Sequence, residues 1–382
     1  MEPLCQSQIL PYLIKLSVDY KILLLSFEKK HDWFEFKRRN KLIHDISNAG
    51  VIWIPLPYHK KLTILATFYD LSIGLLVSIY LVLKYNVKIV HVRSYPPSVI
   101  ALILKKINNI SFIFDMRGLW VDERVDGEIW SNNSYLYGIG KKFERLFFKH
   151  ANAIISLSSA AISELKKNKI LGTKKIIVIP TCTDLSKFYP KEIKKNENSG
   201  SIVLGYVGTV TGWYLFEPVL EFFKYLSEKK RVRFIILNRG EHDFIKNSFL
   251  IKKIPMDNVE LKSVLHDDVP DEIQKMNLGI FFIKPVYSKI ASCATKLGEF
   301  LACGIPCITN HGIGDHTEIL NKSKTGVIIN DLNQFEYSIA VDKTLALLND
   351  PDTRSRCRNI AEDYFSLHKG VDLYSKLYST LI

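Results

Sequence analysis

Between Ser288 and Glu318 the chain reads SKIASCATKLGEFLACGIPCITNHGIGDHTE, and Lys289, Ser292, Lys296 and Glu299 fall within its first dozen residues. An apolar helical face follows, then Gly304-Ile305-Pro306, a short apolar strand and a glycine turn at Gly312 and Gly314. A helix that opens among polar groups, runs into a buried strand and ends in a glycine turn is a route to an anion pocket. Helix N-termini present free N–H groups and a partial positive charge. Lysines beside them suit a diphosphate, and Glu299, one turn into the helix, is placed to accept hydrogen bonds from a ribose. The chemistry is that of a nucleotide-sugar site.

Other residues could share that chemistry. Lys296 and Glu299 are three apart and lie on one helical face. As an exposed ion pair they would contribute little, but Gly298 and the following strand suit a pocket better. In GYVGTVTGWY (Gly205–Tyr214) a strand runs into Gly208 and Thr209 and then a helix. Glycines there let the backbone approach a phosphate or a base. The spacing is not GxGxxG, which disfavours a nicotinamide cofactor. Asp315 and Glu318 have capping-box spacing, which accounts for them structurally. The backbone amides of Gly312, Ile313 and Gly314 could instead face a donor sugar or its phosphate. In the first half, Asp115, Arg117, Asp122, Glu123 and Arg124 gather at the end of an apolar strand, as a site or as an internal salt-bridge cluster. His91 reads as a satisfied structural histidine. Glu144 and Arg145 read as a solvated helix face.

The elements that must position these residues alternate strand and helix throughout, which implies parallel sheets covered by helices. Strands are expected at Lys21–Phe27, Val51–Pro55, Lys88–Val92, Phe112–Asp115, Ala153–Leu157 and Ile176–Ile179. A second series covers Ile202–Val207, Arg233–Leu237, Val259–Leu261, Leu278–Ile283, Cys307–Thr309 and Gly326–Ile329. Helices close the chain at Gln334–Leu348, Thr353–Phe365 and Gly370–Leu381. The polar stretch Lys191–Ser201 reads as a linker. The fold class is α/β, with two doubly wound parallel-sheet domains facing across a cleft that would hold the ligand at the strands' carboxyl ends. Domains are expected at 1–190 and 200–360, with a helix at 361–382 returning to the first.

Composition narrows the classes. A chain of 382 residues with 47% hydrophobic content fits two globular domains. The longest apolar run, Leu71 to Leu83, is shorter than a bilayer span and reads as a packed helix. No signal-peptide pattern is present. The cysteines form no CxxC pair or metal spacing and read as reduced cytosolic thiols. Residues 1–190 hold 27 Lys and Arg against 15 Asp and Glu, whereas residues 191–382 hold 25 against 24. Nearly all of the +13 charge therefore sits in the first half. That asymmetry suits an anionic partner such as a phospholipid surface or lipid-linked phosphate, or else is a solvated lysine-rich surface. Nucleic acid is not expected, because no binding motif for it occurs.

The chain resembles the family 4 retaining glycosyltransferases of the two-Rossmann-domain (GT-B) architecture. The resemblance is carried by EPLCQSQILPYL at the start, FDMRGLWVDERVDGEIW, PTCTDLSKF, GYVGTVTGWY, the block from Ser288, and YFSLHKGVDLYSKLY near the end. It implies a metal-independent transferase of hexosyltransferase type that needs no cofactor beyond its UDP- or GDP-sugar donor. It also implies retention at the sugar, with capsule, O-antigen or exopolysaccharide as the product. Donor-binding residues would be Gly208, Thr209, Lys289, Ser292, Lys296, Glu299, Gly312, Ile313 and Gly314. Acceptor-binding residues would be Arg117, Asp122 and Glu123, and catalytic ones Lys296, Glu299 and Arg117. The acceptor would be a glycan or a lipid-linked glycan, met in the cytoplasm or on the inner face of the plasma membrane.

Three departures bear on that reading. Trp213 and Tyr214 stand where many relatives carry an Arg and a Lys. Ala291 stands where relatives carry the first of two glutamates. Finally, no strand is encoded between Met1 and EPLCQSQ, and Cys5 replaces a glycine, so an upstream start encoding the first strand is expected. Two other classes remain: a nucleotide-sugar epimerase of the same architecture, and a non-catalytic relative that binds a sugar nucleotide.

Overall fold

The computed structural model describes residues 8–59, 63–168, 174–191 and 201–382. The start of the chain and most of the polar stretch 191–201 lie outside these. Contacts divide the chain into two compact units, residues 1–179 with 367–382, and residues 180–366.

The first unit contains strands β1 (Ile22–Glu28), β2 (Val51–Pro57), β3 (Ile89–Arg93), β4 (Ser111–Asp115), β5 (Ala153–Ser156) and β6 (Lys175–Val178). Its helices are α1 (Leu10–Leu16), α2 (Lys30–Phe34), α3 (Phe36–Asn48), α4 (Thr63–Tyr85), α5 (Tyr95–Ile107), α6 (Trp120–Asp126), α7 (Tyr135–His150) and α8 (Ser159–Lys167). Strands β1 and β2 pair in parallel from Ile22 opposite Val51 to Glu28 opposite Pro57. β2 tolerates Pro55 and Pro57 because, among the described residues, its other edge has no strand to receive an N–H. A separate parallel sheet runs in the order β3-β4-β5-β6. Ser134 and Ser158 cap α7 and α8 by accepting the amides of Tyr137 and Ala161. Gly74 lets α4 approach closely, since a Cβ there would stand 2.8 Å from the Phe27 ring and 2.9 Å from Ile100. The last helix, Leu367–Ser379, belongs to this unit: Tyr374 meets Tyr12 edge-on and Tyr378 bonds to His91.

The second unit is built on one parallel sheet of six strands. These are β7 (Ile202–Val207), β8 (Val232–Leu237), β9 (Val259–Lys262), β10 (Leu278–Ile280), β11 (Cys307–Asn310) and β12 (Gly326–Ile329). Their order is β12-β11-β10-β7-β8-β9, so β7 is central. Around it lie α9 (Phe216–Lys229), α10 (His242–Ile251), α11 (Val269–Ile273), α12 (Thr295–Ala302), α13 (His316–Ser323), α14 (Gln334–Asn349) and α15 (Thr353–Tyr364). One continuous apolar core joins the two faces of the sheet to these helices. Gly279 has no room for a side chain, because a Cβ would lie 2.7 Å from the Phe300 ring of α12.

Every expected strand is present within a residue or two, except that β10 ends at Ile280 rather than Ile283. The chain there turns to the loop after β7: Ile283 bridges Tyr214, and the Leu215 amide donates to Phe282 O at 2.9 Å. The apolar run Leu71–Leu83 proves to lie toward the C-terminal end of a 23-residue helix, long and apolar enough from Leu65 to Tyr85 to cross a membrane by length and composition. Glu144 is not a solvated residue. It is fully buried, accepts the Tyr95 hydroxyl at 2.8 Å and pairs with Lys141, while burial raises its pKa. Arg145 is exposed as expected.

Candidate functional site

The site in the second unit begins with a short 3-10 turn, Tyr287–Ala291, that delivers the chain to α12. Ala294 occupies the N-cap of α12 and its amide donates to Nε2 of His316 at 3.3 Å. A ring nitrogen that accepts carries no proton. Burial accordingly holds the His316 pKa down at about 4.

In the first turn of α12, Lys296 points inward and is only 6% exposed. Its ammonium lies 3.7 Å from the centre of the Tyr214 ring, 4.6 Å from Tyr206 and 5.6 Å from Phe281. Among the described residues it has no hydrogen-bond partner. An ammonium has three donors, and leaving them unused inside a protein is costly. Burial lowers its pKa to about 7 against the opposing pull of Glu299 and Glu241. Glu299, 7% exposed and one turn on, is raised to about 7 by burial, with Lys296 pulling the other way. The same helix turn thus holds a cation and a carboxylate that are both poised near neutrality. That combination marks functional sites more often than ordinary packing.

The loop after β7 lies against these residues. Gly208 has a φ of +99°, and a Cβ there would stand 3.4 Å from the Lys296 ammonium. Gly212 also has a positive φ, +70°. Asn238 donates to Gly208 O at 3.0 Å and to Glu241 at 2.7 Å. Glu241 accepts the Val210 amide at 3.0 Å and the Thr211 hydroxyl. Burial works against the Glu241 charge, but these hydrogen bonds outweigh it and hold its pKa below normal. Thr209 is exposed at the tip of the loop.

Lys289 is buried with its ammonium 3.7 Å over the Trp213 ring, so the aromatic residue after β7 holds a cation supplied by another segment. The Gly314 amide donates to Lys289 O at 2.9 Å, which ties the glycine turn to that segment. Gly312 and Gly314 have φ of +89° and +42°, Ile313 is buried, and Ser292 is half-buried. The expected capping box does not form. Asp315 stands at the N-cap of α13 without a side-chain capping bond and accepts the Tyr364 hydroxyl at 2.6 Å instead, while Glu318 is exposed.

The candidates of the first unit make a separate cluster. Asp115 is fully buried, with Arg93 Nε and His91 Nε2 each at 3.6 Å and Arg117 at 4.0 Å. Burial opposes its charge, yet Arg117, His91 and Arg93 keep its pKa below normal. Arg117 adopts a φ of +54°, a left-handed conformation uncommon for a residue with a side chain. Asp122 accepts from Lys141 and Tyr137, each at 3.0 Å, and Glu123 is half-buried.

Lys289, Ser292, Lys296, Glu299, Gly208, Thr209 and Gly312–Gly314 therefore share the second unit, and Arg117, Asp122 and Glu123 belong to the first. Sequence reasoning missed Glu241, Asn238 and His316. Trp213 and Tyr214 were read only as the absence of a cation, whereas Trp213 lies under Lys289 and Tyr214, with Tyr206, walls in Lys296.

Comparison with known families gives two matches: Glycosyltransferase Family 4 over residues 42–187, and Glycosyl transferases group 1 over residues 189–364. No curated protein matches in sequence. Among solved structures, sucrose-phosphate synthase from Thermosynechococcus elongatus superposes with a TM-score of 0.69 at 14% identity, covering 94% of this chain and 99% of that one. A glycosyltransferase from Rickettsia africae gives 0.66 at 14% identity, covering 94% and 98%. Anabaena HepE, solved with UDP and glucose, gives 0.67 at 13% identity, covering 97% and 95%. At such identities the likeness is one of fold, two Rossmann-like domains of the GT-B kind. With both halves matched, the chain belongs to the group 1 glycosyltransferases of GT-B architecture.

Proposed function

We propose that this glycosyltransferase moves a hexose from a nucleoside diphosphate to an acceptor hydroxyl with retention, in the synthesis of a bacterial surface polysaccharide. The observation that carries the reading is the Lys296 ammonium, buried, unpaired among the described residues and set beside Glu299 in the first turn of α12. Lys296, together with Lys289, binds the diphosphate and the charge that develops as the sugar–oxygen bond breaks. The acceptor oxygen bonds to the anomeric carbon, and its proton leaves on the departing phosphate. No metal is needed, because the lysines and the helix N-terminus neutralise the leaving group. Glu299 holds the ribose, and the loop at Gly208 and Thr209 and the turn Gly312–Gly314 line the phosphate and sugar, with Ser292 beside them; the Gly208 and Gly314 amides are spent on Leu237 O and Lys289 O, so these two glycines give room rather than donors. Arg117, Asp122 and Glu123 contact the acceptor, a glycan or lipid-linked glycan at the cytoplasmic side of the membrane. HepE, with about the same length and fold, was solved with UDP-glucose, which makes UDP-sugars the first donors to try.

The test is product analysis with a panel of UDP- and GDP-sugars in the presence of chelator. A glycoside of unchanged anomeric configuration is expected. A free epimerised sugar nucleotide would identify an epimerase instead, and binding without turnover over the whole panel would identify a non-catalytic relative.

A further inference from the structure

Among the described residues, helix α4 is packed on one side only. Its inner face carries Gly74 against Phe27 and Ile100, and Leu71, Leu75 and Ile79 pack on a small core of Val82, Ile100, Leu104 and Ile110. Asp70, also inward, is 5% exposed and accepts both the backbone amide and the ring of His59. The outer face shows Leu65, Phe68, Tyr69, Leu76, Tyr80 and Leu83, each between 55% and 72% exposed. Steps of three and four residues put these in one stripe. At 1.5 Å per residue it runs about 27 Å. The hydroxyl within it, Ser72, is satisfied by Phe68 O at 2.8 Å.

The charges around this stripe have one sign. From residue 71 to residue 114 the chain carries Lys84, Lys88, Arg93, Lys105 and Lys106 and no Asp or Glu. The topology gathers most of them. α4 ends at Tyr85, just before β3, and α5 ends at Ile107, just before β4; β3 and β4 pair in parallel with Ile89 opposite Ser111. Both helix C-termini therefore lie at the same end of the sheet, where its strands begin, with Lys84 and Lys88 beside one and Lys105 and Lys106 on the other. Burial, then the charges of Lys149, Lys106, Lys105 and Lys174, holds His150 below its usual pKa, which places four cations around one ring. The Lys84 ammonium lies 5.2 Å from the Tyr80 ring, over the end of the stripe.

We propose that this face docks on an anionic bilayer, with α4 lying along the surface, its stripe at the acyl boundary and Lys84, Lys88, Lys105 and Lys106 on lipid headgroups. The helix lies on the membrane rather than crossing it, because its inner side is fixed to protein and buries Asp70. The surface is separate from the donor site, so this inference and the proposed reaction fail independently.

Co-sedimentation of the full chain with phosphatidylcholine vesicles, with and without phosphatidylglycerol, tests it. Binding is expected on the anionic vesicles, about tenfold or more weaker on the neutral ones, and reduced by salt. The pair Leu76→Ser and Leu83→Ser should lower vesicle binding about tenfold, and so should Lys84→Gln with Lys105→Gln and Lys106→Gln. In both variants the affinity for UDP and the thermal midpoint should stay unchanged. No binding of the native chain to anionic vesicles overturns the proposal. So does native-like binding by both variants, or a lipid-free dimer that the Leu76 and Leu83 substitutions dissociate.

Discussion

Lys296 is the residue on which the proposed chemistry turns. Its ammonium is needed to hold a diphosphate, yet burial leaves it only half-protonated near neutrality, with a pKa of about 7. The sign of the pH effect follows. As pH rises through that value the free protein loses the charge, so UDP affinity should decline on the alkaline side relative to uridine affinity, which reports the ribose contact with Glu299 alone. Glu299→Gln removes the charge that raises the Lys296 pKa most, and so should move the decline to lower pH. It should also weaken UDP through the lost ribose contact, by about 1–3 kcal/mol. Lys296→Met with Lys289→Met should lower UDP affinity by roughly ten- to a hundredfold, the scale of lost charge-assisted bonds. Titration calorimetry across the pH range reads all three. Equal losses for UDP and uridine would place the lysines away from the phosphates.

At the scale of elements, His316 fastens the start of α13 to the N-cap of α12 and so fixes the turn that presents Lys296. Its titration should be visible in stability. The unfolded imidazole ionises near 6.5 and the folded one near 4, so between them the unfolded state binds the extra proton. Stability from this group is complete above 6.5 and is lost as pH falls toward 4, by about 3 kcal/mol in all. His316→Gln keeps an acceptor for the Ala294 amide without titrating. In urea denaturation the native chain should lose stability with acid more steeply than the variant, and parallel slopes would mean His316 is not held neutral. The strands of both sheets were legible in the sequence because buried parallel strands read as short apolar runs. The end of β10 was not, since Phe282 and Ile283 are as apolar as the strand but pair with the Tyr214 loop. Lys296 and Glu299 could be read as a pair from their spacing. Their burial could not, because it depends on Tyr206 and Tyr214, some ninety residues earlier. Glu144 was misread for a similar reason: its partner Tyr95 is 49 residues away.

At the scale of the whole molecule, the two proposed tasks would be separated by charge. The first half carries nearly all of the +13, whereas the second, with 25 cations against 24 anions, is close to neutral and buries Lys289 and Lys296. A surface that attracts lipid and a pocket that binds a small anion need different things. The first works at long range and is screened by salt, and the second works by desolvated contact. Two ligands should therefore leave two footprints. With UDP at a hundred times its dissociation constant, the bound state gains about 2.7 kcal/mol over any opening that disrupts the site. Amide exchange should slow in the loop after β7, in Tyr287–Thr295 and in the glycine turn before α13. Anionic vesicles should instead slow exchange in α4 and α5. Hydrogen-exchange mass spectrometry on the full chain, with each ligand alone and with both, separates these effects. Protection by UDP centred on Asp115 and Arg117 rather than on α12 would move the donor site to the other unit. Protection by vesicles in residues 201–366 would remove the role assigned to α4.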